Sequence, residues 1–351
     1  MKRIFNILHY CNLASFLVVI SVTLMVIWAD NKNKVACNIK DENKAISICQ
    51  QAININSSNP LYHANLGILY ARQKDINNAI KHFQKACIQN PQDANFYFNM
   101  GLLYQMQRKV DKALMFLEKA KNIEPYNPMF LIFLGLLHEN KGNIKEAKKM
   151  YVEAISHNPS ILDSRFYSDL KLRNKLCSII ILKEAQEKLE QTTLHENPIL
   201  LANLGKILQV RENLRKADSV LKKALLSLPN LNRPYLYLGQ IASLRNDSLE
   251  AKKYYDKAVL LDPYDVSAIW HQAKMEKQDY KKRRLYDFVL HLLKYRTSSR
   301  YDRNIGIYKT ASLGKTEICA NIGKYIQPQI GEEEILRFMK ENGVSEKPAI
   351  E

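Results

Sequence analysis

The chain has 351 residues, of which 25% are charged and 46% hydrophobic, an ordinary soluble composition that sets aside fibrous and low-complexity classes. Its formal charge of +17 points to anionic partners, without choosing among nucleic acid, a membrane surface and an acidic glycan. Six cysteines form no CxxC pair and no metal-ligand spacing, which sets aside a zinc module.

The first element is apolar. No formal charge occurs between Arg3 and Asp30, and the densest stretch, Leu13 to Ala29, spans about 25 Å as a helix. Trp28 suits a membrane interface. Residues 1–31 therefore read as a single transmembrane anchor. Two alternatives stand beside it. Lys2 and Arg3 give the basic start of a signal sequence, although Ile27 and Trp28 fit a cleavage site poorly; a buried soluble helix is the other. Orientation stays open, because Lys32, Lys34, Lys40 and Lys44 balance the basic start.

From residue 40 onward a period of 34 takes over. Gly67, Gly101 and Gly135 are spaced by it, and so are Gly205 and Gly239. Each glycine is followed twelve residues later by an alanine (Ala79, Ala113, Ala147, Ala217, Ala251) and seven further on by another (Ala86, Ala120, Ala154, Ala224, Ala258). A proline closes each unit, at Pro91, Pro125, Pro159, Pro229 and Pro263. His63, Leu66, Gly67 and Tyr70 share one helical face; Ala79, Phe83 and Ala86 share a second. Gly67 and Ala79 let two antiparallel helices approach, Phe83 fills between them, and proline ends the second helix. One such hairpin cannot bury its apolar face alone, so the hairpins stack.

These positions resemble the tetratricopeptide repeat (TPR) family. The likeness implies an all-α, helical-hairpin solenoid over 40–265: a half unit at 40–58, repeats at 60–93, 94–127 and 128–161, and repeats at 198–231 and 232–265. Residues 162–197 are two longer than a repeat and lack its signature. They read as a degenerate hairpin within a continuous array, with Phe166, Leu170, Leu176 and Ile180 as its apolar positions.

In that family the first helix of each unit lines a concave groove. Carried across, the likeness implies a partner-binding groove made by Ile68, Arg72, Phe98, Leu102, Gln105, Ile132, Leu136, Lys206 and Gln240. Asn65, Asn99 and Asn203 recur without the paired lysines of a carboxylate-capturing groove. The centre reads apolar, and an exposed apolar strip expects an amphipathic helix or an extended apolar peptide. The alternative is that the protein's own carboxyl segment fills it.

The region 266–351 reads as a basic helical cap and tail. Between Val266 and Ile330 there are thirteen bases against five acids, led by Lys281, Lys282, Arg283 and Arg284. These four are candidates for contact with anionic lipid or a lipid-linked glycan, against the plainer reading of a solvated basic face. Tyrosines interleave with the bases, but an anchored chain argues against nucleic acid. "SLGKTE" imitates a phosphate-binding loop, yet Lys309 stands where that loop needs glycine. No catalytic constellation, metal site or cofactor is implied. The sequence thus points to a membrane-anchored scaffold without chemistry of its own. A second resemblance, carried only by "NPSILDSRFYSDL", is to the carboxyl part of bacterial O-antigen-ligase-like proteins; it implies an accessory subunit of glycan assembly at the bacterial inner membrane. A soluble adaptor released by signal cleavage is the third reading.

Overall fold

The structure is a computed structural model that describes residues 21–33, 36, 41–173, 175–192, 197–298 and 332–341. Every regular element among them is a helix. Residues 1–20 of the expected anchor, and the tail segments 299–331 and 342–351, lie outside the described residues. Among the described residues, no helix is long and apolar enough to cross a membrane. Two compact units emerge, the first ending at Pro125 and the second opening at Tyr126.

The first unit opens with helix α1, residues 21–33. It continues with α2 (Glu42–Ile55), α3 (Pro60–Arg72), α4 (Ile76–Gln89), α5 (Ala94–Met106) and α6 (Val110–Ile123). Helices α3 and α4 pair as one hairpin, α5 and α6 as the next, with α2 against α3 and α4 against α5. Local sequence sets each boundary. Asn59 accepts a hydrogen bond from the Leu61 amide and is followed by proline at the first helical position, whose missing N–H costs nothing there. The same Asn-Pro entry starts two helices of the second unit, at Asn127 and Asn197. The turn inside each hairpin needs one residue in the left-handed region. Lys74, Arg108, Glu212 and Asn246 take it with φ of 60–65°, and Gly142 takes it at 82°.

Inside the hairpins the small residues act through distance. A Cβ added to Gly67 would lie 2.8 Å from the Phe83 ring, and one on Gly101 would lie 2.6 Å from Leu117 Cγ. The large side chain of each second helix therefore occupies the volume that glycine leaves empty. Cys49 and Cys87 are buried thiols, and burial pushes Cys87 up to about 12, which keeps it protonated at pH 7.

The second unit contains the hairpins α7 (Pro128–Asn140) with α8 (Ile144–His157), α11 (Pro198–Val210) with α12 (Leu214–Ser227), and α13 (Asn232–Leu244) with α14 (Ser248–Leu261). Between α8 and α11 the chain spends Pro159–Asp163 on a 3-10 turn, then forms α9 (Arg165–Arg173) and α10 (Lys175–Thr192). Ser164 is fully buried, donates its hydroxyl to the Ile161 carbonyl and accepts the Tyr167 amide, which ends the turn and starts α9. With nine residues, α9 is shorter than the thirteen of the regular first helices. Helix α10 packs on both α8 and α11. Ion pairs lace its sides, Lys148–Glu184 and Lys188–Glu153 toward α8 and Lys216–Glu190 toward α12. The sequence expectation for this stretch needs one correction. Phe166 and Leu170 are buried, but Ile180 is exposed; Ile181, Ala185 and Leu189 form the inner face of α10 instead, displaced by one residue.

Helices α15 (Val266–Met275), α16 (Asp279–Ser298) and α17 (Glu332–Glu341) close this unit. Trp270, Tyr286, Val289, Ile335 and Met339 share one buried cluster, so α17 returns to cover the last hairpin.

Candidate interaction surface

The groove expectation meets a clear finding on exposure. In the first unit Ile68, Phe98, Leu102 and Gln105 are buried, and Arg72 is half-buried. In the second unit Ile132, Leu136 and Lys206 are buried, and Gln240 is half-buried. The apolar members of the expected groove are thus buried rather than exposed, and most of the carboxyl segment named as its alternative occupant lies outside the described residues. The cause is legible in the first helices themselves. In α5 nine of thirteen residues are buried, and in α7 the uninterrupted run Met129 to Leu137 is buried, whereas α6 and α12 bury three each. A helix that is apolar all round has no single inner stripe and is covered on several sides.

What the inward positions of the second unit build is a polar seam. Lys206 Nζ lies 2.9 Å from Asp163 Oδ1, donates to Gln240 Oε1 at 2.9 Å and stands 5.2 Å from the Tyr237 ring centroid. Gln209 Nε2 donates to the same Gln240 oxygen at 3.1 Å. Gln240 Nε2 in turn lies 3.3 Å from His271 Nε2, and the His271 ring stacks on Tyr255 with centroids 5.0 Å apart. Burial, together with the charges of Lys274 and Lys206, pushes His271 down to about 4, so its ring is neutral at pH 7 and accepts the Gln240 amide. Five elements meet here: the 3-10 turn, α11, α13, α14 and α15. Lys206 and Gln240 were expected; Asp163 and His271 were not. The 34-residue separation of Lys206 and Gln240 was the available signal, since equal positions in adjacent hairpins lie side by side.

The first unit carries a histidine pair instead. His63 Nδ1 and His82 Nδ1 are 3.1 Å apart, and the His82 ring stacks on Tyr70. Burial, with His63 and the neighbouring lysines, pushes His82 down to about 4. Burial also lowers His63.

The basic quartet on α16 is not uniform. Lys281 and Arg284 are exposed and Lys282 half-buried, while Arg283 is engaged with Asp287 at 3.8 Å. Between α13 and α14, a hollow of about 420 Å³ is lined by Tyr235, Lys253, Tyr254, Asp256, Lys257 and Leu260.

Stacked helical hairpins of constant length, joined glycine to aromatic or leucine, define a repeat solenoid. Tetratricopeptide repeats are found within it. A family model described as "TPR repeat" matches residues 70–107, and one described as "Tetratricopeptide repeat" matches 94–127, 130–161 and 233–265. No curated protein sequence matches the chain. Among solved structures the chain is similar to one titled as the functional characterization of Pseudomonas aeruginosa PilF, at 15% identity, covering 70% of this chain and 99% of that one with a TM-score of 0.34. It is also similar to MamA, at 16% identity over 64% of this chain and 90% of that one, TM-score 0.30. A third is YrrB, titled a TPR protein with an unusual peptide-binding site, at 16% identity over 63% and 95%, TM-score 0.30. The ligase-like resemblance of "NPSILDSRFYSDL" gains no support from these matches. In the structure that stretch forms the 3-10 turn and α9.

Proposed function

We propose that this protein is an interaction scaffold, held at a membrane by residues 1–31, that captures a protein partner along the inward side of its first helices and carries out no chemistry itself. The observation that supports it is the contact between Lys206 and Gln240, equal positions one repeat apart, bonded at 2.9 Å. Such a row offers side chains at regular intervals to an extended chain lying across the hairpins. The members that reach solvent, Arg72 in the first unit and Gln240 in the second, make the polar contacts; the buried apolar members set the floor behind them. An extended apolar peptide fits better than a helix, because its backbone carbonyls remain free for a side-chain donor, the Arg72 guanidinium for a segment held by the first unit or the Gln240 amide for one held by the second. Lys281, Lys282 and Arg284 add an anionic-surface contact, to lipid or to a lipid-linked glycan, each worth on the order of 1 kcal/mol.

The experiment is affinity isolation of the full-length protein from its own membranes, comparing wild type with Arg72→Glu and Gln240→Glu. Both substitutions sit at half-open positions, so helical content should hold while the captured partner is lost. Retention of the same partner by both variants refutes the assignment. Glutamate at Phe98 or Leu102 would probe folding instead, since both side chains are interior.

A further inference from the structure

Helix α1 changes character within one turn. Val22, Leu24, Met25, Ile27 and Trp28 are each 44–60% exposed, and at about 100° per residue they point to every side of the helix. One residue later the helix is gripped. Ala29 is fully buried with Ala52 and Tyr62, Asn33 is buried beside Cys49, and Ala36 joins the cluster of Ala45, Cys49, Leu66 and Leu69. Asp30 accepts hydrogen bonds from the Tyr62 hydroxyl and from Asn59 Nδ2, and Lys32 Nζ stands 5.3 Å from the Trp28 ring centroid. A helix exposed and apolar on all sides is stable inside lipid, and an amphipathic ring beside a cation is the usual occupant of the lipid–water interface.

We propose, resting on the membrane-held reading above, that the hydrocarbon boundary of a bilayer crosses α1 at Trp28 and that α2 and α3 clasp the emerging helix, pinning the first hairpin against the lipid headgroups. Asp30 is two residues, about 3 Å, beyond Trp28. The headgroup layer is roughly 5–8 Å deep on each side. The Asp30–Tyr62 contact therefore falls within it. The stretch between membrane and array is then no flexible leash: Ala29, Asn33 and Ala36 are part of the array's own core, and the scaffold stands at a fixed distance from the lipid.

Trp28 and Trp270 are the only tryptophans in the sequence. In full-length Trp270→Phe in proteoliposomes, lipids brominated near the headgroup should lower Trp28 emission about twofold, and more than lipids brominated near the bilayer centre. Trp28→Phe, which leaves the buried Trp270, should abolish that quenching and serves if Trp270→Phe does not fold. Leu61→Trp in the Trp28→Phe background should be quenched by headgroup-labelled lipid, and Asp30→Ala should relieve it. Carbonate extraction separates the two levels. Release of the whole protein from membranes sinks the anchor and this inference together. Retention with centre-weighted or absent Trp28 quenching sinks the boundary alone, and retention with Trp28 quenched but Leu61→Trp unquenched sinks the clasp.

Discussion

Asp163 and Lys206 make an asymmetric pair, and the asymmetry gives a counterintuitive prediction. Lys206 is 2% exposed and Asp163 37% exposed. Asp163→Ala leaves a buried ammonium with only the Gln240 oxygen and the Tyr237 ring for company, a situation that costs about 3 kcal/mol or more. Lys206→Met replaces the long apolar stem with one of similar volume and frees Asp163 to turn toward water, costing about 1 kcal/mol or less. Truncating the more exposed partner should thus do more damage than truncating the buried one. For a cooperative unit of this size, about 2–4 °C of melting temperature follows each kcal/mol, so Asp163→Ala should lower the transition of the second unit by roughly 6–12 °C and Lys206→Met by a few degrees. Thermal melts followed by circular dichroism at pH 7 read both. If Lys206→Met proves as damaging as Asp163→Ala, the seam is not organised around a buried charge and the reasoning fails.

Gly101→Ala should destabilise by about 1–3 kcal/mol through overlap with Leu117, and Leu117→Ala in the same chain should add less than its cost alone, as denaturant titrations would show. Helix α6 begins after Lys109, which provides no side-chain cap, so Lys109→Asp should stabilise by about 1 kcal/mol in the same assay. Arg108→Gly should stabilise more than Asn246→Gly, because both residues sit at φ of 60° and asparagine tolerates that region better than arginine. Stability should fall with acidification: His82 and His271 fold with values of about 4, below the 6.5 of an unfolded chain, so their contribution is complete above about pH 6.5 and lost as pH falls toward 4. Substituting both by glutamine should flatten the melting temperature across that window.

The hairpin plan was legible because it rests on local chemistry. Gly67 with Phe83, the Asn-Pro helix entries and the closing prolines each carry their reason within a few residues. Exposure of the first helices was not legible from one chosen face. Ile132 and Leu136 were read as members of an exposed strip, although the run Met129 to Leu137 around them has no polar residue to face water. The seam was half legible: the repeat period places Lys206 beside Gln240, while Asp163 arrives from an irregular turn that follows no period. Residues 29–31 were read as the end of an anchor and the next few only for their flanking lysines, because Ala29, Asn33 and Ala36 are small or polar and give no apolar signal. Their burial depends on α2 and α3, partners no local pattern names.

The account stands on the inward side of the first helices being where a partner is held. Its most direct measurement is site-specific photocrosslinking of the full-length protein in its native membranes, with the reactive side chain placed at Arg72, at Gln240 and, for comparison, at the outward-facing Leu249. The account predicts the same protein adduct from the first two positions and none of it from Leu249. Adducts absent from both inward positions, or equally strong from Leu249, would contradict it.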